Sequence, residues 1–224
     1  MADKIKIDEV YSVYFNALLK GDKYQCSQVV HALVNAQMDV RYVYEHLLKP
    51  AMYEVGNLWE RNKITVATEH MASAITESIM NELYGSIAFN GSTSKSVVVT
   101  CIESELHQIG ARMISDVFEL NHWQVKFLGA NTPNSELVNF LCLNQPAMLA
   151  ISVSLYFNLP TAEELIMMVR EHFQLLPIVV GGQAFSRGGH EIVAKFNGVT
   201  HLPDVISMDR YLKNLDKNGQ GIIN

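Results

Sequence analysis

Near residue 90 the periodicity of this chain changes, and no single pattern of burial can run through both halves. Before that point apolar residues recur every three or four positions, as they do on one face of a helix. After it, short apolar runs alternate with amphipathic segments. The join, Asn90-Gly91-Ser92-Thr93-Ser94-Lys95, is polar and contains glycine, as a linker does. At 224 residues the chain can hold one large domain or two modest ones, each with its own core. The change of rhythm selects two, 1–90 and 95–216.

The first half reads as four helices. Asp8 can cap a helix to Leu19, with Val10, Tyr14, Ala17 and Leu18 on one face. Gly21-Asp22 breaks it, and a second helix runs from Lys23 to Ala36. Asp39 starts a third through Val43, Leu47 and Leu48 to Val55, with Pro50 inside or kinking it. A polar connection at 60–63 leads to Thr65, which can cap a long helix ending near Tyr84. Short connections between such helices predict an antiparallel bundle.

In the second half, strands are predicted at Val97–Ile102, Trp123–Leu128, Met148–Val153, Ile178–Val180 and Val205–Ser207. Helices are predicted at Gln108–Glu119, Ser135–Leu143, Ala162–Phe173 and Gly189–Phe196. The strands at 97, 148 and 178 are continuously apolar, as strands buried on both faces must be. The chain is therefore read as α + α/β. A four-helix bundle precedes a doubly wound, Rossmann-like (flavodoxin-like) parallel sheet of five strands. Ligands of such sheets lie beyond the carboxyl ends of the strands, near a topological switch point.

Those ends carry the chemistry. The first is followed by Glu105-Leu106-His107-Gln108-Ile109-Gly110, a histidine with a carboxylate two residues before it and a glycine three after. The imidazole can bind a metal, the carboxylate can orient it, and the glycine permits close approach of another group. The second strand runs into Gly129-Ala130-Asn131-Thr132-Pro133, the third ends in Ser152-Val153-Ser154, and the fourth in Gly181-Gly182. These small residues leave room for a deep slot.

A net charge of −6 removes the electrostatic footprint of a DNA-binding surface, so no direct nucleic-acid contact is expected. No apolar run reaches the ~18 residues of a membrane span, and the N-terminus lacks a signal-peptide core. Cys26, Cys101 and Cys142 are odd in number and widely spaced among apolar neighbours, so they read as buried free thiols of a cytoplasmic protein.

Over roughly 95–215 the chain resembles cobalamin-binding domains of the methionine synthase type. Their D-x-H-x-x-G loop, serine-bearing third strand end and paired glycine are matched in order by Glu105-x-His107-x-x-Gly110, Ser152-x-Ser154 and Gly181-Gly182. The resemblance implies His107 as lower axial cobalt ligand in place of the cofactor's own base, with Glu105 orienting it. It further implies that Ser152, Ser154, Gly181 and Gly182 line the slot for the displaced nucleotide tail. Glu105 departs from the usual aspartate by one methylene.

In the helical half, Trp59, nine residues, then Glu69-His70 resembles the W-x9-E-H signature of adenosylcobalamin-dependent photoreceptors that regulate carotenoid genes. That family also carries glutamate ahead of its cobalt-ligating histidine. The resemblance implies that the bundle caps the upper face of the cobalamin. Trp59 would pack over the adenosyl group, Glu69 and His70 would share its pocket, and Val66 would face it. Two departures matter. Glu60 follows the tryptophan where the photoreceptors have a histidine, so a bis-histidine light state would need another residue such as His70. A MerR-type DNA-binding domain does not precede the bundle, which implies a stand-alone module acting through its own assembly, as a homo-oligomer, or through a protein partner. Some stand-alone members also bind a bilin, and no residue here speaks for one.

Adenosylcobalamin is thus the favoured cofactor and a non-enzymatic, cobalamin-binding sensor the favoured function. The alternative is a corrinoid methyl carrier of a methyltransferase system, which would use methylcobalamin. A third reading is an interaction module that has lost its cofactor.

Overall fold

The computed structural model describes residues 2–87, 91, 93 and 95–217. Asn90, Ser92 and Ser94 of the linker reading lie outside the described residues. Two compact units divide the chain, one ending at Ser86 and the other starting at Ile87.

The first unit is helical. It comprises α1 (Ala2–Lys20), α2 (Lys23–Asn35), α3 (Val40–Val43), a π-turn (Tyr44–Leu48), α4 (Lys49–Glu60) and α5 (Val66–Leu83), followed by a 3-10 turn at Tyr84–Ser86. Helix α1 starts well before Asp8, which is therefore an interior residue and not a cap. The buried Ile7 extends the apolar face of Tyr14, Ala17 and Leu18 by a further turn, and burial of that turn outweighs the local capping signal. Asp22 does cap α2, accepting the Gln25 N–H at 2.9 Å, and Thr65 caps α5, accepting that of Thr68 at 3.2 Å. The third rod does not break at Pro50. Proline offers no N–H to the carbonyl four residues back, and the chain passes it by widening into the π-turn, where Lys49 N–H reaches Tyr44 O. Val43, Tyr44, Leu47, Leu48, Ala51 and Val55 consequently stay buried along one continuous rod.

The second unit holds β1 (Ser96–Cys101), α6 (Ile109–Leu120), β2 (Gln124–Gly129), α7 (Asn134–Asn144) and β3 (Met148–Ser152). A 3-10 turn (Tyr156–Asn158) leads to α8 (Leu159–His172), β4 (Ile178–Gly181), α9 (Gln183–Arg187), α10 (His190–Lys195), β5 (Val199–His201) and α11 (Val205–Lys217). The sheet is parallel, in the order β2-β1-β3-β4-β5. Every residue of β3 is buried, and so are Val97–Cys101 of β1, as a sheet covered on both faces requires. Among the described residues no helix is long and apolar enough to cross a membrane.

Three sequence expectations are corrected. Val205–Ser207 is not a strand: it opens α11, because Asp204 accepts the Ser207 N–H at 2.6 Å and caps a helix. The fifth strand is instead the short edge strand Val199–His201. Cys142 is exposed, whereas Cys26 and Cys101 are buried; all three are free. Finally, α9 intervenes between β4 and α10 where no helix was expected.

Because β1 sends its connection to β2 on one side and is flanked by β3 on the other, the topological switch lies between β1 and β3. Cys101 pairs with Ser152, and Ser152 with Gly181. The three strand ends therefore lie in one row, and their loops leave from a common edge.

Candidate functional site

Glu105 is the hub of that edge. Its side chain is fully buried, and the carboxylate accepts five hydrogen bonds. Oε1 takes His107 Nδ1 at 2.5 Å and the His107 N–H at 3.1 Å. Oε2 takes the N–H groups of Ser154 at 2.9 Å and Leu155 at 3.1 Å, and Asn158 Nδ2 at 3.3 Å. Burial opposes ionisation of Glu105. The His107 imidazole and the N–H groups of His107, Leu155 and Ser154 outweigh it and hold the carboxyl down at about 2.

An ionised carboxylate can only accept, so the ring hydrogen of neutral His107 belongs on Nδ1 and the lone pair on Nε2. The imidazole itself is half exposed, at 52 %. The site thus buries the carboxylate and presents the imidazole to solvent. Below it, burial and the Glu105 charge push the Cys101 thiol up to about 12, so it stays protonated and donates to the His107 carbonyl at 3.6 Å. Among the described residues no three His, Cys, Asp or Glu side chains gather as a metal cage. His107 offers one protein nitrogen, which suits a metal that arrives inside its own macrocycle.

The glycines divide into two kinds. A Cβ on Gly182 would lie 2.3 Å from the Val153 carbonyl oxygen, at a φ of +100°, and one on Gly181 would lie 2.9 Å from Leu202 O. Both are demanded by the fold's own backbone, which the Val153 N–H bond to Gly181 O at 2.9 Å holds close. Gly110 differs. It sits in the first turn of α6, where alanine is normally favoured, and a Cβ there would meet only Ser152 Oγ, at 3.8 Å. Its missing side chain leaves a space bordered by the nearly buried Ser152 and open to a ligand.

The structure therefore gathers Glu105, His107, Gly110, Ser152, Ser154, Gly181 and Gly182 along one sheet edge. Ser154 contributes its backbone N–H to Glu105, not a contact read from its hydroxyl. Trp59, Val66, Glu69 and His70 belong to the other unit. They lie where α4 ends and α5 begins. Trp59 and Val66 are exposed at 46 % and 51 %, Glu69 accepts Ser73 Oγ at 2.9 Å, and His70 reaches Glu69 at 3.5 Å. Glu60 is exposed at the end of α4.

Two participants escaped the sequence reading. Asn158 is buried and donates to Glu105 from the 3-10 turn, a loop position that carries no periodic signal. Leu106 is exposed at 70 % directly beside His107 in the chain, an apolar side chain turned outward.

Residues 11–84 and 95–202 each match a protein family described as a B12 binding domain. The HTH-type transcriptional repressor CarH of Myxococcus xanthus is 24 % identical over 144 residues, 63 % of this chain and 47 % of that protein. The chain thus spans about half the length of the curated relative it matches. Among solved structures, the monomethylamine corrinoid protein of Methanosarcina barkeri superposes with a TM-score of 0.79 at 14 % identity, covering 93 % of this chain and 99 % of that one. The methanol:cobalamin methyltransferase complex MtaBC from the same organism gives 0.51 at 17 % identity, over 96 % and 82 %. At such identities the likeness is one of fold.

Proposed function

From the premise that this chain belongs to the B12-binding families through both of its domains, and so binds cobalamin, we propose that it is a cytoplasmic, adenosylcobalamin-dependent sensor of light. The observation that carries the site assignment is the buried, ionised Glu105 fixing His107 Nδ1 at 2.5 Å. His107 Nε2 would hold the cobalt. Gly110 and Ser152 would border the entry of the displaced tail, and Ser154, Gly181 and Gly182 would build its slot. Bound adenosylcobalamin supplies a cobalt–carbon bond that light can break.

The upper-face assignment rests on the resemblance of Trp59 and Glu69-His70 to the photoreceptor signature, and on likeness to an HTH-type transcriptional repressor. Physical chemistry supports it. A half-exposed tryptophan at the end of α4 and an exposed valine at the start of α5 leave apolar surface that a purine-sized group can cover. The Glu69 carboxylate, steadied by Ser73, can accept hydrogen bonds from ribose or amine donors. Signal output passes through the protein's own assembly, as a homo-oligomer, or through a regulatory protein partner.

Purified protein loaded with adenosylcobalamin in the dark is expected to change both its visible spectrum and its oligomeric state under green light. An illuminated sample identical to the dark one contradicts the sensor reading. Transfer of a methyl group from methylcobalamin-loaded protein to an acceptor enzyme would establish the carrier reading in its place.

A further inference from the structure

The loop between β2 and α7 holds no residue assigned to the cofactor, yet Ala130, Asn131 and the start of α7 at Asn134 are bonded to the His107 loop. Glu103 Oε2 accepts the N–H of Asn134 at the start of α7, at 3.2 Å. The N–H of Ser104 donates to Asn131 Oδ1 at 3.0 Å, and the Asn131 N–H donates to the Glu105 carbonyl at 2.9 Å. Gln108 Oε1 accepts the Ala130 N–H at 3.2 Å.

Ser104 and Asn131 both occupy the left-handed region, with φ of 66° and 53°. Non-glycine residues rarely adopt it, and they keep it only where the surroundings over-determine it. Here the two strained residues bond to each other across the loops. Asparagine suits position 131 on both counts: it tolerates this backbone, and its side-chain oxygen can accept the Ser104 N–H.

Glu105 is consequently suspended from two sides. The β3–α8 connection holds its carboxylate through Ser154, Leu155 and Asn158, and Asn131 holds its carbonyl. Neither anchor alone determines where the carboxylate meets His107, because a carboxylate on a two-methylene stem can swing when its backbone moves.

We propose that Asn131 is a positioning residue for His107: resting on the cobalamin reading, its side-chain oxygen fixes Ser104, the residue before Glu105, and through Ser104 sets the backbone of Glu105 and thereby the ring and tautomer of His107. Asn131→Gly keeps the left-handed backbone without strain and the main-chain bond to Glu105, and deletes only the acceptor of the Ser104 N–H. Asn131→Asp restores an acceptor. Gln108→Ala removes a different bond between the same loops without touching Glu105.

The first readout needs no cofactor. Long-range proton–nitrogen NMR of histidine-labelled protein, at alkaline pH where the ring is neutral, reports which nitrogen of His107 carries hydrogen. Wild type, N131D and Q108A should show hydrogen on Nδ1, and N131G a mixture of both tautomers. The second readout is affinity for aquacobalamin, which should fall about tenfold in N131G and recover in N131D, as for groups that orient a metal ligand. Should N131G fail to fold, Asn131→Ser, with its shorter acceptor, is expected to give a partial mixture. Wild-type tautomer and affinity in the folded N131G protein, or equal disturbance in Q108A, overturns the proposal. A wild-type chain that binds no cobalamin sinks the functional reading, while the tautomer result still decides the role of Asn131.

Discussion

Glu105→Ala is expected to destabilise the sheet domain by about 3 kcal/mol or more and to weaken cobalamin retention by about 10–100-fold. The first effect follows from burial. The carboxylate is the acceptor for two N–H groups of the β3–α8 connection and for the amide of Asn158, which is itself buried. Removing it strands these donors, and each unsatisfied buried donor costs about 1–3 kcal/mol. The second effect follows from the lost tautomer: without the Nδ1 partner, the ring has no reason to keep its lone pair on Nε2. Denaturant unfolding of the cofactor-free protein measures the one and equilibrium dialysis the other. Stability within about 1 kcal/mol of wild type would show that the five bonds do not matter as assigned.

Gly182→Ala should be at least as damaging, by more than about 3 kcal/mol, because the obstacle is backbone and cannot rotate away. A Cβ there would lie 2.3 Å from Val153 O and 2.9 Å from Val153 N, on a residue already at φ +100°. Gly110→Ala makes the matched comparison. With only Ser152 Oγ nearby, it should stabilise the cofactor-free protein by about 0.5–1 kcal/mol while obstructing the cofactor. Thermal unfolding of both variants, with and without cobalamin, separates the glycine that the fold needs from the glycine that the ligand needs. Similar behaviour of the two would erase that distinction.

Much of this was legible in the residues. The all-buried strands Val97–Cys101 and Met148–Ser152 announce themselves as continuous apolar runs, because no face of theirs meets water. Glu105 and His107 were legible because a carboxylate two residues from a histidine at a strand end has a chemical reason to be there. Val205-Ile206-Ser207 misled because an apolar pair reads alike at the start of a helix and within a short strand, and Asp204 decides between them only through its cap. Edge strand Val199–His201 is too short to carry an alternating signal. Ile7 drew α1 past the plausible cap at Asp8, and the π-turn let the third rod absorb Pro50; both outcomes depend on tertiary burial. Asn131 and Asn158 were invisible for a different reason. Their roles depend on partners 27 and 53 residues away, at Ser104 and Glu105, which no local pattern links to them.

In the proposed complex a nitrogen of His107 would hold the cobalt in place of the vitamin's own base. Electron paramagnetic resonance of the one-electron-reduced complex, using protein grown with 15N-histidine, reads that bond directly. A doublet splitting of the cobalt lines, absent in His107→Ala, is the predicted result. A triplet from the unlabelled benzimidazole nitrogen, or no axial nitrogen splitting, would contradict it.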